Sequence, residues 1–139
     1  MQVPELIIAQ LKHHAVEAAG NSHSPYSHFP VGAAVTSESG TVYRGCNVEN
    51  ASFSLTQCAE RAALTSAICD GNPPGSMTAL LIYTPGHVAH TPCGACRQVM
   101  HELMGAGSRV ISCCDGEQIK IWGHDEYLPD PFVPDALLK

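Results

Sequence analysis

Apolar residues recur at spacings of three and four through Leu6, Ile7, Leu11, Ala15, Ala18 and Ala19, the signature of one face of an α-helix. Pro4 suits a first turn and Gly20-Asn21-Ser22 a stop, so a helix is predicted over residues 4–19. Two short extended runs, Val31-Gly32-Ala33-Ala34-Val35-Thr36 and Thr41-Val42-Tyr43-Arg44-Gly45-Cys46, flank the polar Ser37-Glu38-Ser39-Gly40 and predict a β-hairpin. From Cys58 to Cys69 the chain turns to Ala, Leu, Glu and Arg, and Asp70-Gly71-Asn72-Pro73-Pro74-Gly75 then breaks it, which predicts a second helix. Ala79-Leu80-Leu81-Ile82-Tyr83-Thr84 is a continuous apolar run of strand length, as expected of a central strand covered on both faces. Pro92 to Met104 predicts a third helix. Arg109-Val110-Ile111-Ser112-Cys113 and Gln118-Ile119-Lys120-Ile121-Trp122 bracket the turn signal Asp115-Gly116 and predict two more strands. The tail from Leu128 to Pro134 holds too many prolines for regular structure. The order αββαβαββ predicts a three-layer α/β/α fold, with a mixed five-stranded sheet between helices on both faces.

At 139 residues and 45% apolar content the chain is long enough for one packed domain, over residues 1–139, and too short for two ordinary ones. The net charge of −6, with only seven Lys and Arg scattered along the chain, argues against partners bound by neutralising phosphates, so nucleic acid is not expected. No stretch approaches the roughly 18 apolar residues of a membrane span. The start, Met1-Gln2-Val3-Pro4-Glu5, lacks the basic-then-apolar layout of a signal peptide, and a cytoplasmic protein with no membrane partner is expected. Seven cysteines cannot all pair internally, and a reducing compartment makes metal ligands of some of them the natural expectation.

The strongest local pattern is Pro92-Cys93-Gly94-Ala95-Cys96, at the start of a predicted helix directly after a buried strand. On a helix, positions i and i+3 face the same way, so two thiolates can meet one ion, and the free N–H groups of a helix start favour thiolate over thiol. By itself the pair admits a structural zinc site, a redox pair or chance. A third thiol stands at Cys58-Ala59-Glu60, at the opening of the previous predicted helix. A closed structural site wants four ligands, whereas three cysteines leave a position for water, as in a catalytic site. Glu60 then suits a proton carrier, although residues two apart do not share a face of an ideal helix, so spacing alone does not aim it at the metal. Arg61, three residues after Cys58, is on the side of that sulfur and suits withdrawal of charge from it.

A Cys- or His-x-Glu followed by Pro-Cys-x-x-Cys resembles the zinc nucleoside and base deaminases. The flanking stretches resemble the small homotetrameric cytidine deaminases in particular: Ser24 through Ala34, Gly45 through Ser52, Cys58-Ala59-Glu60-Arg61, Pro92 through Gln98, then Leu128-Pro129 and Phe132-x-Pro134. The resemblance implies one zinc ion per chain, held by Cys58, Cys93 and Cys96 with water as fourth ligand, and Arg61 donating to the sulfurs. It implies that Phe29 stacks on the pyrimidine, that Asn47 and Glu49 bond the ribose hydroxyls, and that the backbone at Ala59 reads the ring. It implies a homotetramer with sites at subunit interfaces, where Phe132 enters a neighbouring subunit's site. The implied reaction is hydrolytic deamination of cytidine, and of 2′-deoxycytidine, in pyrimidine salvage. Glu60 takes a proton from water and gives one to ring N3, hydroxide attacks C4, and ammonia leaves.

Each residue also has an ordinary reading. Phe29 suits a core, Asn47 and Glu49 a solvated strand end, and Arg61 a surface ion pair worth roughly 0–1 kcal/mol. Cys46, Cys69, Cys113 and Cys114 are expected in packing; His87 and His90, in the turn before Pro92, are candidates for the mouth of the site but are expected in solvent. Phe53 stands where the family commonly has tyrosine and Ala62 where threonine often follows the arginine. Rival functions are a deaminase of another aminated pyrimidine nucleoside of the blasticidin type, a structural zinc module with a fourth protein ligand, and a redox protein cycling a Cys93–Cys96 disulfide.

Overall fold

A computed structural model of the chain describes residues 3–138; Met1, Gln2 and Lys139, the ends of the stretch read as one domain, lie outside the described residues. The elements follow in the predicted order: α1 (Glu5–Ala19), β1 (Gly32–Ser37), β2 (Val42–Cys46), α2 (Ala59–Cys69), β3 (Met77–Tyr83), α3 (Gly94–Leu103), β4 (Met104–Cys113) and β5 (Ile119–Gly123). The five strands lie in the order β2-β1-β3-β4-β5. Only the β3/β4 pair is parallel, so the sheet is mixed as expected.

Central β3 explains its own sequence. Leu80 and Ile82 point to one face, where they join Ala63, Leu64 and Ala67 of α2 and Met100 of α3. Ala79, Leu81 and Tyr83 point to the other, against Leu11, Ala15 and Ala19 of α1. Side chains alternate across a strand, so a strand with helices on both faces needs an apolar residue at every position. Two glycines set how close those helices come. A Cβ on Gly32 would lie 1.8 Å from the Ala15 carbonyl oxygen, and one on Gly45 would lie 2.3 Å from that of Ala59. Helix backbone therefore rests almost directly on strand backbone at both places, with no room for a side chain.

Two elements depart from expectation. β4 begins at Met104, immediately after α3, rather than at Arg109. Met104 pairs with Met77 and both are buried, while a register shift absorbs the segment between them. Gly105-Ala106-Gly107-Ser108 carries no apolar pattern of its own, so tertiary pairing made a strand where local sequence reads as loop. In the proline-rich tail a single 3₁₀ turn forms at Pro134–Ala136, started by the proline whose missing N–H a first helical position does not need. No helix among the described residues is long and apolar enough to cross a membrane.

The topology decides where chemistry can sit. α2 runs down into the turn before β3, and α3 starts beyond the end of β3, so the N-termini of both helices meet at the carboxyl end of that strand. Open α/β sheets place their ligands in such crevices.

Candidate active site

Cys58 is the residue before the first turn of α2, with extended backbone angles (φ −77°, ψ 151°). Cys93 holds the same position before α3 (φ −66°, ψ 161°), and its sulfur accepts the backbone N–H of Cys96 at 3.5 Å. The two cysteines of Cys-x-x-Cys are therefore a cap and a first-turn residue, rather than two positions on one helix face. The sulfurs of Cys58, Cys93 and Cys96 nonetheless lie within 4.8 Å of one another. Tetrahedral zinc with Zn–S bonds of about 2.3 Å needs sulfurs roughly 3.8 Å apart, so this trio fits the ion. Among the described residues no fourth His, Cys, Asp or Glu joins the group, which separates it from a closed structural site.

At Cys58 the surroundings favour thiolate. Arg61 donates from Nη2 to the Cys58 sulfur at 3.1 Å. The Cys58 thiol is lowered to about 5, first by the hydrogen bond from Cys96 and then by Arg61, against the opposing effect of burial. Its proton-sharing partner Cys96 is pushed up, by that same bond and by burial. Two helix N-termini add their partial positive charge.

Glu60 is 6% exposed. Burial raises its carboxyl above the usual range, and the neighbouring Cys58 charge adds to this. Cys58, Cys93, Glu60 and Ala59 line one cleft of about 220 Å³, with Phe29 and Asn47 on its other walls. Because Cys58 sits outside the helix, the rule that residues two apart diverge does not apply to it, and Glu60 reaches the same cavity. Ala59 lies at the first position of α2, where backbone N–H groups have no partner within the helix.

Asn47 is buried and hydrogen-bonded through both the nitrogen and the oxygen of its amide. Its amide nitrogen donates to the Phe29 carbonyl at 2.8 Å, and its oxygen accepts the Val31 N–H at 2.9 Å and the Ser22 hydroxyl. Glu49 accepts the N–H groups of Tyr26 and Ser27 at 3.0 and 3.1 Å, together with the Ser27 hydroxyl. These bonds hold its carboxyl below the usual carboxylate range. Neither is a solvated strand end: both brace the loop in which His28, at φ 55°, turns the chain toward Phe29. Glu49 lines a second cleft of about 270 Å³, with Tyr26, Ser27 and Phe53, and the two clefts share Thr56.

Phe132 is not among the residues lining either cleft; it is 61% exposed, with its carbonyl accepting from Gln98 of α3 at 2.9 Å. One expectation is corrected: Cys69 is exposed, because it occupies the last turn of α2 beyond the packed stripe, whereas Cys113 and Cys114 are buried as expected. His90 is exposed, as expected, and its ring lines the first cleft in edge contact with Phe29. Thr56 also went unnoticed in the sequence, where no pattern marks it.

Residues 7–113 match the family model described as the cytidine and deoxycytidylate deaminase zinc-binding region. The chain is 47% identical over 123 residues to a cytidine deaminase of Halalkalibacterium halodurans, covering 88% of this chain and 92% of that one. It is 39% identical over 135 residues to a cytidine deaminase of Mycobacterium tuberculosis, covering 97% of this chain and 96% of that one. A crystal structure of cytidine deaminase from Burkholderia pseudomallei matches with a TM-score of 0.85 at 41% identity, over 89% of this chain and 98% of that one.

Proposed function

Because this chain belongs to the family of zinc-binding cytidine and deoxycytidylate deaminases, we propose that it hydrolyses the 4-amino group from free cytidine and 2′-deoxycytidine, giving uridine or deoxyuridine and ammonia. The observation that carries this reading is the buried Glu60 on the same cleft wall as the sulfurs of Cys58 and Cys93. Cys58, Cys93 and Cys96 hold one zinc ion per chain, which when bound lowers the pKa of water toward about 7 and so makes a nucleophile available near neutral pH.

Glu60 carries the protons. Burial raises its carboxyl, so it holds a proton more readily than an ordinary carboxylate, which suits a group that takes a proton from water and gives it to ring N3, then takes the proton of the hydroxyl added at C4 and gives it to the departing amine. Arg61 draws charge from the Cys58 sulfur. Phe29 packs on the pyrimidine, and the N–H groups opening α2 at Ala59 read its polar edge. Asn47 and Glu49 take the ribose hydroxyls in the adjoining space while bracing the Phe29 loop.

Among the described residues no Lys or Arg lines either cleft, which favours a nucleoside over a nucleotide. The net charge of −6 likewise disfavours nucleic acid. The proposal extends to pyrimidine salvage in the cytoplasm and to a homotetramer in which Phe132 completes a neighbouring subunit's site.

The test is to incubate the purified protein with cytidine, follow the ultraviolet change and ammonia release, and assay zinc per chain. Glu60→Gln should keep its zinc and lose turnover by a factor of at least about 10³, given the 10²–10⁴ that a positioned acid–base group contributes. Turnover by Glu60→Gln near the wild-type rate would exclude the mechanism.

A further inference from the structure

The segment from Thr84 to Cys93 leaves the end of β3, rims the cleft and delivers Cys93 to α3. Side chains from β4 and the turn after it fasten this segment along its length. The Asp115 carboxylate accepts the Tyr83 hydroxyl at 2.5 Å and the Gly86 N–H at 2.9 Å. Gln118 accepts the Ala89 N–H at 2.7 Å. The fully buried Ser112 donates its hydroxyl to the carbonyl of His90 itself at 2.6 Å. Ala89 on one side of His90 is fully buried, and Pro92 on the other is buried too. His90 is thus an exposed side chain on a backbone that has little freedom.

That fixed backbone aims the imidazole at the cleft. Its ring centroid lies 5.5 Å from that of Phe29, with the two ring planes at 78°. The two rings are in edge-to-face contact and Phe29 remains 41% exposed, so its ring keeps surface that a ligand can cover. A planar heteroaromatic base entering the cleft therefore meets two rings, one from the loop after α1 and one from the loop before α3.

We propose that His90 is a substrate-binding residue, whose ring, set edge-to-face against Phe29, forms with it an aromatic corner into which the pyrimidine packs. This rests on the deaminase reading of the cleft. The ring surface is what the corner uses, so phenylalanine at this position serves in its place while alanine or glutamine does not. Stacking beyond simple area burial is worth about 0.5–1.5 kcal/mol, so losing the ring should raise KM for cytidine about 2- to 12-fold.

The experiment measures kcat and KM for cytidine, with zinc content, in the wild type and in His90→Ala, His90→Gln and His90→Phe. The expected result is a KM raised at least about twofold in the Ala and Gln variants, more than any fall in kcat, and returned toward wild type by Phe. A KM changed less than that in both ring-less variants, or a rise that Phe does not reverse, overturns the assignment. Absence of cytidine turnover in the zinc-loaded wild type overturns the deaminase reading and this inference together, and is told apart by the wild-type assay alone.

Discussion

Arg61 reaches the Cys58 sulfur from one helical turn away, and the contact matters because of the charge it offsets. Three thiolates around Zn²⁺ leave a formal charge of −1, which makes a bound water a poorer acid than in an all-histidine site. A guanidinium held 3.1 Å from one sulfur draws some of that charge away. Removing it should keep the fold, since Arg61 is only part-buried and is not a member of the packed core. Arg61→Ala is therefore expected to raise the acid limb of the kcat/KM–pH profile by about one unit, the equivalent of about 1.4 kcal/mol. The sign follows from the chemistry: with more negative charge left on the metal centre, the proton that must be lost is held to a higher pH. A profile that does not move would remove Arg61 from the chemistry and leave it a structural contact. At this same scale Glu60 was legible by residue type and by resemblance, but its direction was not. The extended backbone of Cys58 brings the pair to one cavity, and a helical wheel does not contain that information.

Among the elements, α2 carries most of the proposed site: Cys58 as its cap, the Ala59 backbone proposed to read the ring and Glu60 proposed to carry protons follow one another at its start. Its placement depends on β2, where Gly45 lets the strand backbone touch the first turns of the helix. A Cβ there would stand 2.3 Å from the Ala59 carbonyl oxygen and 2.5 Å from the Ala63 nitrogen, both backbone atoms with no rotamer to yield. Gly45→Ala should cost about 3 kcal/mol, the upper part of the usual overpacking range, read as a lower midpoint in urea or heat. It should also displace Cys58 and weaken zinc retention, since the same turn of helix supplies both contacts. A variant as stable as the wild type would mean that α2 can slide on the sheet. The positions of α1, α2, β1, β2, β3 and β5 were readable from periodicity and turn residues. The long β4 was not, because its first half is paired by what lies beside it rather than by its own pattern.

In the whole molecule, several large side chains have nothing to cover them within one chain. Phe53, Leu55 and Phe132 are 71%, 67% and 61% exposed, and Phe53 lies beside the adjoining cleft. Large apolar side chains left this exposed fit surfaces that another subunit covers. If Phe132 completes a neighbour's site, Phe132→Ala and Glu60→Gln will each be impaired in separate solutions. Mixed through unfolding and refolding, they should regain about a quarter of wild-type activity, because random pairing joins an intact Glu60 to an intact Phe132 in about that share of sites. A mixture no more active than the Phe132→Ala component would show that each chain works with its own residues.

By itself the sequence determined the layering and the chemical inventory of this protein. Alternation, helical spacing and glycine-proline breaks are local, and cysteine, glutamate and arginine declare their chemistry by type. Only the tertiary structure decided what meets what. It brought two helix starts to the end of one strand, turned Glu60 into the sulfur-lined cavity, committed Asn47 and Glu49 to the loop behind Phe29, and set His90 opposite that ring. Such meetings depend on contacts between residues far apart in the chain, whose distances are fixed by packing and by backbone angles at single residues, and no pattern along the sequence records them.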